Sequence, residues 1–201
     1  MRNSCRALFL ILFSWTLVFA QGSKKDIWAD ENFDGLEFRS IGPALMSGRI
    51  ADIAIHPEDE SIWYIAVGSG GVWKTVNAGV TWTPIFDDQG SYSIGCVTID
   101  PSNPHIVWVG TGEDQGGRHF GYGDGVYRSD DGGKTWANMG LKDSEHVSKI
   151  VIHPNDSNII YVASQGPLWS KGGDRGVFKS TDGGKNWSLI LSDNEWTGRQ
   201  N

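Results

Sequence analysis

Three times along this chain a tryptophan closes the same eight-residue turn, and nothing else in the sequence restricts the fold so much. The turns read Thr75-Val76-Asn77-Ala78-Gly79-Val80-Thr81-Trp82, Ser129-Asp130-Asp131-Gly132-Gly133-Lys134-Thr135-Trp136 and Ser180-Thr181-Asp182-Gly183-Gly184-Lys185-Asn186-Trp187. Each reads as a self-capped hairpin. The Asn or Asp side chain accepts backbone N–H groups of its own loop, the glycine supplies a positive φ, and the tryptophan drives its ring between sheets. The structural set is therefore Thr75, Asn77, Gly79 and Trp82, then Ser129, Asp131, Gly133 and Trp136, then Ser180, Asp182, Gly184 and Trp187. Asp131 reads as the acceptor within its turn and Asp130 as a solvated neighbour, because a carboxylate saturated by N–H groups is a poor proton donor.

Each turn ends a longer repeated unit. Ile53-Ala54-Ile55-His56-Pro57, Val97-Thr98-Ile99-Asp100-Pro101 and Ile150-Val151-Ile152-His153-Pro154 are β-branched runs stopped by a proline turn, which makes His56 and His153 turn formers in the place of Asp100. A second strand follows at residues 62–67, 106–109 and 159–163, and a third at 71–74, 125–128 and 176–179. Four short strands in a unit of about fifty residues is the period of a propeller blade. With 27 glycines and 10 tryptophans in 201 residues, turns and bulky core prevail over helix. The expected fold is all-β: an incomplete β-propeller of three four-stranded blades with the repeated turn between strands 3 and 4. Blade 1 covers 48–86, blade 2 87–139 and blade 3 140–191, with a lead-in at 21–47 and the start of a missing fourth blade at 192–201. Three blades are too few to close a ring. The sequence thus reads as an N-terminal piece of a longer protein, its remaining blades supplied by a longer parent chain or by self-association.

The turns resemble the Asp-box, or BNR, repeat of sialidases, of tandem-propeller xyloglucanases and of the sortilin (VPS10) luminal domain. The string Phe38-Arg39-Ser40-Ile41-Gly42-Pro43, continuing to Ser47-Gly48-Arg49-Ile50, is similar to the opening of exported bacterial proteins described as BNR-repeat glycosyl hydrolase-like or sortilin N-terminal-like. The resemblance implies a propeller and no particular reaction. The early Arg-Ile-Pro of sialidases is interrupted here in Arg39-Ser40-Ile41-Gly42-Pro43, so their arginine cluster does not carry over. The function this implies is an exported ligand-binding or scaffold propeller, for a peptide or a glycan. The alternative is part of a sialidase- or xyloglucanase-like glycoside hydrolase whose site is completed by missing blades.

In a four-stranded blade the repeated turn lies on one rim, while the strand 2–3 loops and the blade-to-blade links lie on the other, where ligand contacts are expected. The long loops of blades 2 and 3 supply Arg118, His119, Tyr122 and Asp124, then Trp169, Lys171 and Arg175, as candidate ligand contacts. Glu113 and Asp114 are the weak candidates for an acid/base pair, and no complete catalytic set can be assembled. The same loops also read simply as solvated glycine-rich turns. No metal site and no cofactor is expected: Cys/His ligand spacing is absent, and Gly121-Tyr122-Gly123-Asp124-Gly125 lacks the spacing of a phosphate loop.

Arg2 and Arg6 precede an apolar run at 7–19 that ends in Val18-Phe19-Ala20, the pattern of a secretory signal peptide over 1–20. The run is shorter than the roughly 20 residues of a spanning helix. The expectation is a secreted or periplasmic protein with no membrane span after cleavage. A net charge of −7 argues against a nucleic-acid partner. Cys5 would leave with the signal, so Cys96 reads as a packed thiol without a bridge partner.

Overall fold

Alternating β-branched and aromatic residues bounded by Pro, Gly and Asp form strands at every place the repeat requires. In the computed structural model residues 48–114 and 121–197 are described, all inside the unit Pro43–Asn201. The expected signal peptide, the lead-in, Arg118 and His119 lie outside them. Blade 1 is β1 (Ile50–Ile55), β2 (Trp63–Val67), β3 (Gly71–Thr75) and β4 (Thr83–Pro84). Blade 2 is β5 (Ile94–Ile99), β6 (Val107–Thr111), β7 (Val126–Ser129) and β8 (Ala137–Asn138). Blade 3 is β9 (Val147–His153), β10 (Asp156–Ser164), β11 (Gly176–Ser180) and β12 (Ser188–Leu191). Each blade is one antiparallel sheet in sequential order, and the three sheets do not close into a ring. The helical content of the described residues is one 3₁₀ turn, Lys142–Ser144, and none of their helices is long and apolar enough to cross a membrane.

The two junctions between blades hold the core. Tyr64, Ala66, Val72 and Phe86 of blade 1 pack on Ile94, Val97, Val107, Val109 and Tyr127 of blade 2. Cys96, Trp108 and Val126 of blade 2 pack on Ile150, Ile152, Ile160, Val162 and Phe178 of blade 3. Strand β6, with a blade on either face, is buried at all five positions, whereas β2 and β10 alternate. The Cys96 thiol sits inside this packing, and burial pushes its pKa up to about 12. That is the inert thiol expected from its strand setting.

The repeated turns close as self-capped hairpins. Asp131 Oδ1 accepts the N–H of Lys134 and of Thr135, each at 2.9 Å, and its Oδ2 accepts the Thr135 hydroxyl at 2.7 Å. Ser129 Oγ donates to Asp131 and accepts the Gly133 N–H at 2.8 Å. Asp182 repeats this with Asn186 and Ser180, and Asn77 with Thr81 and Thr75. The hydrogen bonds hold the Asp131 carboxyl well below the usual range, first through the Thr135 hydroxyl, and Asp182 at about 2 through Asn186. The proline-side turns behave alike: His56 Nδ1 accepts the N–H of Glu58 and Asp59, His153 Nδ1 that of Asn155, and Asp100 Oδ1 that of Ser102.

Tryptophans then join the blades. Trp136 Nε1 donates to the Ile85 carbonyl of blade 1 at 2.7 Å, and Trp187 Nε1 to the Met139 carbonyl of blade 2 at 2.8 Å. A cation on strand 3 of the earlier blade meets the turn as well: Lys74 Nζ donates to Gly132 O at 2.8 Å and Arg128 Nη1 to Gly183 O at 3.1 Å. The innermost strands β1, β5 and β9 line a hollow of about 420 Å³, where Lys149 Nζ lies 3.7 Å from Asp52 Oδ2.

Candidate functional site

The rim away from the Asp-box turns is built from the β2–β3, β6–β7 and β10–β11 loops and the links between blades. Backbone bonds tie these segments to one another, some within a blade and some across blades. The N–H groups of Gly70 and Gly71 donate to Tyr92 O, that of Gly112 to Ser93 O, that of Gly123 to Glu145 O, and that of Gln165 to His146 O. Such loops meet one another because the sheets hold their ends together, so a rigid scaffold presents a continuous loop surface.

Glu113 lies on this rim and is almost fully buried, 1% exposed. Arg49, immediately before β1, grips it with two bonds: Nε to Oε1 at 2.5 Å and Nη2 to Oε2 at 2.6 Å. The pairing raises the Arg49 pKa, chiefly through the hydrogen bond to Glu113. Both carboxylate oxygens are thus committed to a permanent cation. Glu113, the weak acid/base candidate of the sequence, thus joins blade 2 to blade 1 through Arg49. Its carbonyl also meets His146 Nδ1 at 2.8 Å, and burial lowers the His146 pKa. Ser93 Oγ, which donates to Gly68 O and Gly121 O, accepts the Glu113 N–H. Asp114 is half-buried, and its carbonyl accepts from Gln165 Nε2 at 3.0 Å.

Two of the expected ligand contacts turn inward. Arg175 is 7% exposed, and its guanidinium donates to the carbonyls of Gln165, Pro167, Ser170, Gly172 and Trp196. That makes it a staple for its own loop, because a buried cation needs its donors satisfied. Asp124 accepts the Tyr127 hydroxyl at 2.5 Å and the Thr111 hydroxyl at 3.2 Å, which fixes the loop to β6 and β7. The other three face solvent. Lys171 pairs loosely with Glu195 at 3.3 Å, Trp169 is 73% exposed, and exposed Tyr122 leans on the His146 ring at 5.6 Å between centroids.

The structure adds two residues that single-sequence reasoning did not select, Tyr92 and Trp196, both exposed on the link and tail of the same rim. With Tyr122 and Trp169 they are the exposed aromatic residues among those described; every other described aromatic ring is buried or half-buried. The partnership of Arg49 with Glu113 was also not evident, since the two stand 64 positions apart with no local signal. Among the described residues no group of three His, Cys, Asp or Glu side chains is placed to hold a metal.

The BNR/Asp-box repeat model matches residues 127–138 and 178–189, the turns of blades 2 and 3. In sequence the chain is 28% identical over 159 residues to a xyloglucanase of Hypocrea jecorina, covering 72% of this chain and 18% of that one. It is 32% identical over 127 residues to an oligoxyloglucan-reducing end-specific xyloglucanase of Emericella nidulans, covering 59% and 15%. In structure it matches an ancestral GH74 enzyme with a TM-score of 0.61 at 23% identity, covering 76% of this chain and 19% of that one. The chain spans less than a fifth of the length of each of these proteins. Turn, blade and relatives agree: this chain is built of BNR/Asp-box repeats arranged as β-propeller blades, and it is glycoside hydrolase-like in its sequence relatives.

Proposed function

We propose that the loop rim of this propeller arc binds an extended polysaccharide of the xyloglucan class. The observation that carries the reading is that Tyr92, Tyr122, Trp169 and Trp196, the exposed aromatic residues among those described, all belong to loops and links of one rim. A pyranose ring has an apolar face, and an exposed indole or phenol ring is the side chain that covers such a face while leaving the hydroxyls in water. The names of the sequence relatives supply the class of sugar. Binding to soluble xyloglucan, followed by affinity electrophoresis and calorimetry, tests the reading. Trp169→Ala is expected to weaken binding about tenfold, the share of a dominant interface aromatic. A chain that binds neither xyloglucan nor its oligosaccharides, or that binds peptides instead, would refute it.

A second reading is favoured by those same relatives: the chain is part of a glycoside hydrolase. Such an enzyme needs two free carboxyl groups about 5–9.5 Å apart, and here Glu113 is held by Arg49. The acid/base pair would then come in part from blades other than these three. Release of reducing ends from xyloglucan by a longer chain that contains these three blades, abolished by Asp114→Asn with folding intact, would establish the second reading over the first.

A further inference from the structure

Arg49 is held in place by a carboxylate that water does not reach. Its side chain is 56% exposed while that of Glu113 is 1% exposed, so the pair has one dry end and one wet end. Nε and Nη2 are committed to the carboxylate, and Nη1 has no hydrogen-bond partner among the described residues. Gly68 makes the room for this arrangement, since a Cβ there would stand 2.8 Å from Glu113 Oε1. Arg49 O accepts the Gly68 N–H at 2.8 Å, which fixes the arginine main chain to the same loop. The guanidinium is therefore set in position before any ligand arrives.

The pair belongs to the frame that carries two of the exposed rings of the rim. Gly70 and Gly71, of the loop that holds Arg49, donate to Tyr92 O. Glu113 O meets His146 Nδ1, and the His146 ring supports Tyr122. Charge in this neighbourhood is lopsided. The links on either side of blade 2 bring Asp87, Asp88, Asp143 and Glu145 against one cation, Lys142.

A lone guanidinium would attract carboxylates. Paired with Glu113 it carries no net charge, yet its remaining N–H groups are still strongly polarised donors. Such a donor satisfies a hydroxyl or ether oxygen. An incoming carboxylate meets no net positive charge to offset its loss of water and the repulsion of the nearby acids.

We propose that Arg49 is a ligand contact of the loop rim, donating from Nη1 to hydroxyl or ether oxygens of an uncharged sugar, and that Glu113 is the positioning residue that makes the rim reject sugars bearing carboxylates. This rests on the carbohydrate reading above and adds to it the residues that select by charge.

The test compares xyloglucan oligosaccharides with the same oligosaccharides oxidised at C6 to uronates, by calorimetry on the full chain. The unaltered protein should bind the neutral set about tenfold more tightly. Glu113→Gln keeps an acceptor for Arg49 and frees its charge, so the preference should vanish or invert, and the gain for uronates should be lost on adding salt. Arg49→Gln combined with Glu113→Gln should weaken neutral binding about fivefold, the share of one hydrogen bond, and should create no affinity for uronates. A folded Glu113→Gln chain that keeps the original preference, or a folded double variant that binds neutral sugar undiminished, overturns the proposal. If Trp169→Ala weakens binding while the double variant does not, the carbohydrate reading stands and the role of Arg49 falls. A chain that binds neither sugar refutes both. If the variants fail to fold, the unaltered protein decides: at saturating neutral sugar the Arg49 side-chain N–H signals should show NOEs to sugar protons, and their absence overturns the contact.

Discussion

The indole of Trp187 reaches across the second junction and donates its N–H to the main-chain carbonyl of Met139, 2.8 Å away and 48 positions earlier in the chain. Trp136 and Ile85 stand in the same relation at the first junction. Replacing Trp187 by phenylalanine keeps most of the apolar contact and loses one hydrogen bond, an expected cost of about 1 kcal/mol. Alanine removes the ring as well and should cost about 3 kcal/mol. Trp82, whose ring packs on Trp63 of its own blade at 6.3 Å, should tolerate phenylalanine with a smaller loss. Urea midpoints of the three variants check the ordering, and equal losses at Trp82 and Trp187 would contradict it.

How much of this was legible beforehand follows from the range of each interaction. The hairpin turns announced themselves because donor and acceptor lie within five residues, as Ser129, Asp131 and Thr135 do. The strand order followed from the same short spacing. The rim was different. Arg49 and Glu113 meet only because two blades stack, and neither neighbourhood carries a trace of the other. Arg175 and Asp124 looked like ligand contacts, since charge in a glycine-rich loop reads as available until the loop folds back on it. Tyr92 and Trp196 escaped notice because exposure, not residue type, sets them apart from the buried rings.

Acid should unfold the protein in two stages. The buried His146 has its pKa lowered, mainly by burial, so below the unfolded value of about 6.5 the unfolded chain binds the extra proton first. Stability is complete above that pH and declines as pH falls through it. The turn carboxylates Asp131 and Asp182 are lowered by their hydrogen bonds, Asp182 to about 2. Their contribution is complete above the unfolded value of about 3.9 and is lost as pH falls toward the folded values. Urea midpoints measured from pH 8 to 3 should fall in both windows. His146→Asn should remove the pH slope of the upper stage, and Asp131→Asn with Asp182→Asn should flatten the lower one. A constant midpoint between pH 8 and 5 would refute the assignment to His146.

The Arg49–Glu113 pair makes an asymmetric prediction. Arg49→Ala leaves a carboxylate buried without its cation, whereas Glu113→Gln retains an acceptor and removes the charge. The arginine variant should therefore be the less stable of the two, and adding Glu113→Gln to it should recover part of the loss. A double-mutant cycle on thermal midpoints measures this. Simple additivity would show that the two bonds carry no coupling.

Blade 1 departs from its fellows at Ala78, which holds φ 54 where Gly132 and Gly183 hold 71 and 74. An L side chain is strained there. Ala78→Gly is expected to raise stability by about 1 kcal/mol, strain relief exceeding the added freedom of the unfolded chain. A loss of stability in chemical denaturation would count against the strain.

At both seams the incoming turn is recognised through peptide oxygens, Gly132 O and Gly183 O on one side, Ile85 O and Met139 O on the other. Every residue type offers that atom. A gene encoding such units can duplicate or exchange one of them without inventing a new lock, provided the tryptophan and the opposing cation survive the copying.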